Sequence, residues 1–205
     1  YSFHFWVFSY PHRLPINQCC YLAYVKLKYH YKKTMAGPMT EYRLAKTAEL
    51  DQLKAFLFHH GANPWNHLPA DGVDVEFSLI AAGQAAALLA YSDDQPVGLA
   101  IFYHPNALPE NYLQYSHARS AIYIAEVVVH KDYSGRGIGT SLLEDIIRRA
   151  PTFGAEILLV DRHTENMGSA GMMRKVGFKE LSTFIDLDRR DFGNRSTTVL
   201  SFDLI

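Results

Sequence analysis

Nine residues from Ala121 to Val129, Ala-Ile-Tyr-Ile-Ala-Glu-Val-Val-Val, form an apolar, largely β-branched run interrupted by one charge. Such a run is stable as a strand covered on both faces, so the chain must supply a layer on each side of a sheet. The next segment sharpens the constraint. Ser134-Gly135-Arg136-Gly137-Ile138-Gly139-Thr140 is rich in glycine, and from Ile138 onward Ile138, Leu142, Ile146 and Ala150 recur at helical spacing with Leu143 and Ile147 beside them. On the opposite side Glu144 with Arg148, and Asp145 with Arg149, are i,i+4 pairs with the acid first, the favourable orientation. Pro151 ends the helix. Buried strand, glycine loop and amphipathic helix in succession indicate an α/β domain.

The remaining segments fill in a sheet. Residues 41–45 suit a short strand, and Thr47 is placed to cap a helix carrying Leu50, Leu53, Phe56 and Leu57. Asn63, Pro64, Asn66, Pro69, Asp71 and Gly72 mark 61–72 as a loop with room for a helical turn. Residues 85–91 and 96–103 flank a tight polar connection and read as an antiparallel hairpin. Residues 105–120 are polar and irregular. A buried strand at 157–160, a helix at 168–176 closed by Gly177, and two strands at 181–187 and 197–204 complete the order. The expected architecture is a mixed, mostly antiparallel sheet flanked by helices, α/β in the broad sense and α+β in detail, with no internal repeat.

The 205 residues and 48% hydrophobic content suffice for one domain with a core, with or without an appendage. All 21 acids lie after Pro38, whereas Arg13, Lys26, Lys28, Lys32 and Lys33 precede it; the later part therefore carries 15 basic against 21 acidic residues. A surface that acidic repels a phosphate backbone, which excludes nucleic acid as the expected partner. Residues 1–38 are crowded with Tyr and Phe and show no periodicity. Their lysines follow the apolar stretch, the reverse of a signal peptide, and their longest uninterrupted apolar run, 19–25, is far below the ~20 residues of a membrane span. The expectation is a non-native or poorly ordered extension at 1–38 ahead of one domain at 39–205. The alternative is an aromatic arm docking on that domain or on a second subunit, and a homodimer is possible. Both cysteines, Cys19 and Cys20, are adjacent, where disulfide geometry is seldom reached. The later part has no thiol, which removes cysteine nucleophiles and thiolate metal sites and fits a reducing, cytoplasmic setting.

Chemistry concentrates in the glycine loop. Glycines at 135, 137 and 139 clear side chains from the backbone, and the helix beginning at Ile138 offers unpaired N–H groups at a positive dipole end, so the segment suits phosphate. No lysine adjoins Gly139, which argues against a P-loop. The G-x-G-x-G spacing after a late strand argues against a dinucleotide fingerprint. The segment resembles the acetyl-CoA pyrophosphate loop of GNAT-superfamily N-acetyltransferases, Arg/Gln-x-x-Gly-x-Gly/Ala, with Gly137 and Gly139 on the glycines and Ser134 in the Arg/Gln place. A second stretch, Asn166-Met167-Gly168-Ser169-Ala170-Gly171-Met172-Met173-Arg174-Lys175-Val176-Gly177-Phe178, is similar to the family's Asn-x-x-Ala-x-x-x-Tyr-x-x-x-Gly-Phe, with Met173 replacing the tyrosine.

The resemblance implies a GNAT-like fold, acetyl-CoA as co-substrate and a primary amine of a small molecule or peptide as acceptor. It also implies CoA contacts from Val127, Val128 and Val129, from Ser134, Gly135, Arg136, Gly137, Ile138, Gly139 and Thr140, and from Asn166 and Ser169. A backbone N–H near Val128 would receive the developing oxyanion. Glu126, the one charge in its strand, is the candidate base, since desolvation raises a carboxyl pKa; its structural reading is a carboxylate satisfied by neighbours. His130 is expected to border the loop. Met173 cannot donate a proton, which leaves Tyr133 or water to protonate the leaving thiolate; as a side chain at helical spacing it reads as core. Asp71, Asp74 and Glu76 would favour a cationic amine, or form a solvated acidic turn. Ser134 and Met173, two departures from the family pattern, motivate the rival reading of a non-catalytic acyl-CoA-binding module.

Overall fold

The structure, a computed structural model, describes residues 40–204; the extension anticipated at 1–38 lies outside the described residues. Seven strands form one sheet in the order β1-β2-β3-β4-β5-β7-β6: β1 Glu41–Leu44, β2 Ala85–Ser92, β3 Gln95–Tyr103, β4 Ala121–Val129, β5 Ile157–His163, β6 Lys179–Ile185 and β7 Ser196–Asp203. Every neighbouring pair is antiparallel except β4 and β5. This is the mixed, mostly antiparallel sheet that the sequence implied. Among the described residues no helix is long and apolar enough to cross a membrane.

Helices α1 Leu50–Gly61 and α2 Ala70–Ala81 cover one face of the sheet. After the four-residue α3 Leu113–Ser116, α4 Ile138–Arg149 and α5 Met167–Val176 cover the other. Alternation along β4 shows both layers. Ala121 and Tyr123 join Leu53, Leu57 and Phe77 under α1 and α2, while Ile122 and Ile124 join Leu142, Leu143 and Ile146 under α4.

That alternation breaks once. Ile101 pairs with Glu126 and Phe102 with Ile124, leaving Ala125 as an unpaired extra residue. Because side chains repeat every two residues, one extra residue exchanges the faces of everything beyond it. Val128 accordingly packs with the α1 and α2 layer, and Val127 and Val129 with the α4 layer.

Three local expectations change. The first helix is not capped by Thr47: the chain enters through a 3-10 turn, Thr47–Glu49, where the Glu49 carboxylate accepts the Lys46 N–H at 2.7 Å and a pair of Arg43 bonds at 2.6 and 2.9 Å. The loop anticipated to Gly72 is shorter, because α2 begins at Ala70 after Pro69 and buries Val73 and Phe77, four residues apart. Asp145 lies on the buried side of α4, at 2% exposure, and pairs with both Arg148 and Arg149; Arg148 turns to it rather than to Glu144.

Candidate functional site

The site opens where two strands part. β4 and β5 pair only over Ala121–Ile124 against Ile157–Val160, yet each continues, β4 beside β3 to Val129 and β5 beside β7 to His163. Backbone alternation decides which groups face the gap. The His130 N–H donates to Val97 O at 2.9 Å, so the amides of Val128 and Glu126 turn toward β3 and those of Val127 and Val129 turn outward into the opening.

The gap is a cleft of about 300 Å³. Glu126, Val127, Val128, Val129, Ser134, Asn166 and Ser169 all border it. Gly135, Arg136, Gly137, Ile138, Gly139 and Thr140 continue from its wall at Ser134 into the first turn of α4 without bordering the cleft itself. Gly135 and Gly137 hold φ of +76° and +83° with open space where a Cβ would sit, a conformation that disfavours other residues. Gly139 has a different reason: a Cβ there would stand 2.6 Å from Met172 Sδ, so its bareness lets α4 and α5 approach. The first helical bond of α4 runs from Ser141 N–H to Gly137 O at 3.0 Å, so the amides of Ile138, Gly139 and Thr140 lack a helical acceptor. Among the described residues no side chain caps this turn, and no acid lies in it. The geometry suits an anion of the diphosphate kind.

Other anticipated residues have local roles of their own. Asn166 caps α5, its Oδ1 accepting the Ser169 N–H at 3.0 Å. Tyr133 stands outside the cleft walls, edge-on to His130 and beneath the Arg136 guanidinium, which is 4.6 Å from its ring. The His130 ring lies 4.0 Å from that of His60, tilted against it beside the loop, and burial together with His130 pushes the His60 pKa down. Met173 is core, at 3% exposure.

Glu126 occupies the junction. Beyond the Ala125 bulge its side chain lies on the α1 and α2 face, where it also borders a second cavity of about 430 Å³. Its Oε2 accepts the Asn66 Nδ2–H at 3.1 Å. Burial foremost, and then the Glu76 charge, push its carboxyl up to about 8 against the Asn66 bond. Of the three acids expected on the acceptor side only Glu76 borders this cavity, because all three sit on α2. Asp74 pairs with Lys54 of α1, and Asp71 accepts the Gly72 N–H at 2.9 Å.

Residues without a sequence motif hold the walls. Asp161, at the free end of β5, receives Arg189 at 3.0 and 3.2 Å, Arg190 at 2.8 Å, Tyr123 at 2.9 Å and the Tyr112 hydroxyl. Burial opposes its charge, but the arginines prevail and hold the carboxyl below its usual range. Arg190 also donates to Trp65 O at 3.0 Å and to Thr197 Oγ1 at 2.8 Å, so the loop after α1 is tied across the opening to β7. The only hint in the sequence was a carboxylate directly after an apolar strand and two adjacent arginines between strands.

Solved structures share this architecture. Similar chains include the Salmonella typhimurium protein yncA, solved with its cofactor acetyl-CoA (TM-score 0.63, 19% identity, 81% of this chain and 94% of that one). A ribosomal-protein-alanine N-acetyltransferase from Brucella melitensis matches at TM-score 0.62 and 19% identity over 80% and 99% of the two chains. A Drosophila melanogaster polyamine N-acetyltransferase matches at 0.63 and 16% over 80% and 100%. At such identities the likeness is one of fold. No curated protein matches the chain significantly. The profile described as the acetyltransferase (GNAT) family matches residues 49–178, well over half of the sequence and containing β4, the glycine loop and both flanking helices, and the chain belongs to that family.

Proposed function

We propose that the protein is an N-acetyltransferase moving an acetyl group from acetyl-CoA to a primary amine of a small molecule or peptide. One observation carries the reading: the carboxylate turned by the Ala125 bulge stands where the cleft between β4 and β5 meets the second cavity. When bound, acetyl-CoA supplies a thioester whose acyl carbon is open to a nucleophile. The outward amides of Val127 and Val129 suit its amide-bearing arm, and the uncapped first turn of α4 suits its diphosphate.

An amine near its reference pKa of ~10 is a cation at neutral pH and must lose a proton to attack. Glu126, with a carboxyl pushed up to about 8, is matched to accept it through the oxygen that Asn66 leaves free. The new C–N bond forms as the C–S bond breaks, and an outward amide of β4 meets the charge growing on the acyl oxygen. A thiol of pKa ~8.5 leaves as thiolate without a dedicated donor and is then protonated, through water, by the second proton that the acylated nitrogen gives up, which accommodates the buried Met173. The thiol-free described domain suits a reducing, cytoplasmic compartment.

Thiol release from acetyl-CoA with a panel of amines tests the reading. Turnover that falls about 10²–10⁴-fold in E126Q, with CoA affinity unchanged, is expected. CoA binding without turnover on any amine would instead identify a non-catalytic acyl-CoA-binding module.

A further inference from the structure

The second cavity has an unusual charge balance. Glu76 and Glu126 both border it, and Arg189 is the one guanidinium or ammonium among its described walls, which also include the His67 ring. That arginine is committed: both terminal nitrogens bind Asp161, and one also donates to the Tyr112 hydroxyl at 2.8 Å. Glu76 accepts the Tyr103 O–H at 3.3 Å through Oε1, while its Oε2 is buried and has no partner among the described residues. Glu126 has only the neutral Asn66 amide. A buried carboxylate oxygen without a partner is costly, and a cavity with two carboxyl groups and no free guanidinium or ammonium favours positive charge from solution. Apart from His67 and Asn111 the rest of the wall is aromatic and apolar. Tyr103 and Tyr123 meet edge to face at 5.7 Å, Tyr123 stacks on Tyr112 at 4.2 Å, and Val73 and Pro69 also line the cavity. Tyrosine faces attract cations and accept methylenes. A substrate carboxylate would meet two carboxyl groups and find no free guanidinium or ammonium.

Building on the transferase reading, we propose that the acceptor is an amine bearing a second cationic group and no carboxylate. The reacting nitrogen lies at Glu126 and the distal cation on Glu76 Oε2, which makes Glu76 the residue that selects the acceptor.

The test uses α,ω-diaminoalkanes of three to six carbons, each beside the alkylamine and the ω-amino acid of equal length. Thiol release gives kcat and KM, and calorimetry with CoA present gives diamine binding. The best diamine should exceed its matched alkylamine about 10–100-fold in kcat/KM, the range of one charge-assisted hydrogen bond, and the amino acid should be poorest. In E76Q that preference should collapse, because KM for the diamine rises far more than KM for the matched alkylamine, whereas any change in kcat as the Glu126 carboxyl loses its charged neighbour is shared by both substrates. Equal use of diamine and alkylamine by the unaltered protein, or a preference that survives E76Q, would overturn the assignment and leave the transferase reading standing. Diamine binding that depends on Glu76 without any turnover would keep the cavity assignment and remove the transferase reading. Absence of both binding and turnover would overturn both.

Discussion

Replacing Glu126 by glutamine should make the protein more stable and nearly inactive, with both effects governed by one titration. Burial and the neighbouring Glu76 push the Glu126 carboxyl from 4.5 up to about 8. At about 1.4 kcal/mol per unit the whole shift corresponds to ~5 kcal/mol, and water reaching the side chain from two open cavities should leave roughly half of it. The sign follows from proton binding. The folded pKa lies above the unfolded one, so the stability that Glu126 contributes is complete below about pH 4.5 and lost as pH rises through about 8. Glutamine does not titrate, and its amide oxygen can still accept from Asn66. Urea unfolding should therefore find E126Q close to the unaltered protein near about pH 5 and ~2–3 kcal/mol more stable near about pH 9. In the same protein kcat should fall about 10²–10⁴-fold, and the acid limb of the pH–rate profile, expected near about 8 in the unaltered protein, should vanish. A variant less stable than its parent at the higher pH, or equally stabilised at both, would refute the reasoning that Glu126 is a strained and functional carboxylate.

Three further substitutions probe the frame around the site. Gly137→Val places a β-branched residue at φ +83° and should cost ~1–2 kcal/mol in thermal or urea melts while weakening CoA binding, since the loop can no longer present its amides. Gly98→Ala sets a Cβ 2.8 Å from Ile138 Cγ2, 3.1 Å from Leu142 Cδ1 and 3.2 Å from Ala90 Cβ. It should lose ~1–3 kcal/mol by overpacking and lower CoA affinity through the displaced start of α4, whereas an unchanged melt would show that the contact relaxes freely. Asp161→Asn strands two arginines that share its carboxylate and should cost ~3–5 kcal/mol by chemical denaturation, with KM for the amine rising as the tie from Arg190 to the loop carrying Trp65 loosens.

How much of this was legible in the sequence depends on whether the signal was local. β4, the glycine loop and α4 were readable because apolar run, turn glycines and helical spacing are each written within about a dozen residues. The lone charge of β4 was visible too, but not the face on which it lies. Strict alternation would group Glu126 with Ile122 and Ile124 under α4, and the bulge that moves it is set by pairing with β3 at an unremarkable alanine. Pro69 and Gly72 read as loop and hid α2, so its acids were assigned to a turn, although Val73 and Phe77 carried the helical spacing. Asp145 looked like half of an outward pair because a charged residue is rarely expected at a buried helix position. The knot of Asp161, Tyr112, Tyr123, Arg189 and Arg190 joins residues far apart in the chain, and nothing in local spacing announces it.

The most direct test is a crystal structure with coenzyme A bound. The diphosphate should lie on the amides of Ile138, Gly139 and Thr140, the pantetheine arm beside Val127 and Val129, and the thiol end near Glu126 at the parting of β4 and β5. A ligand seated at any other place, with the first turn of α4 left bare, would contradict this placement.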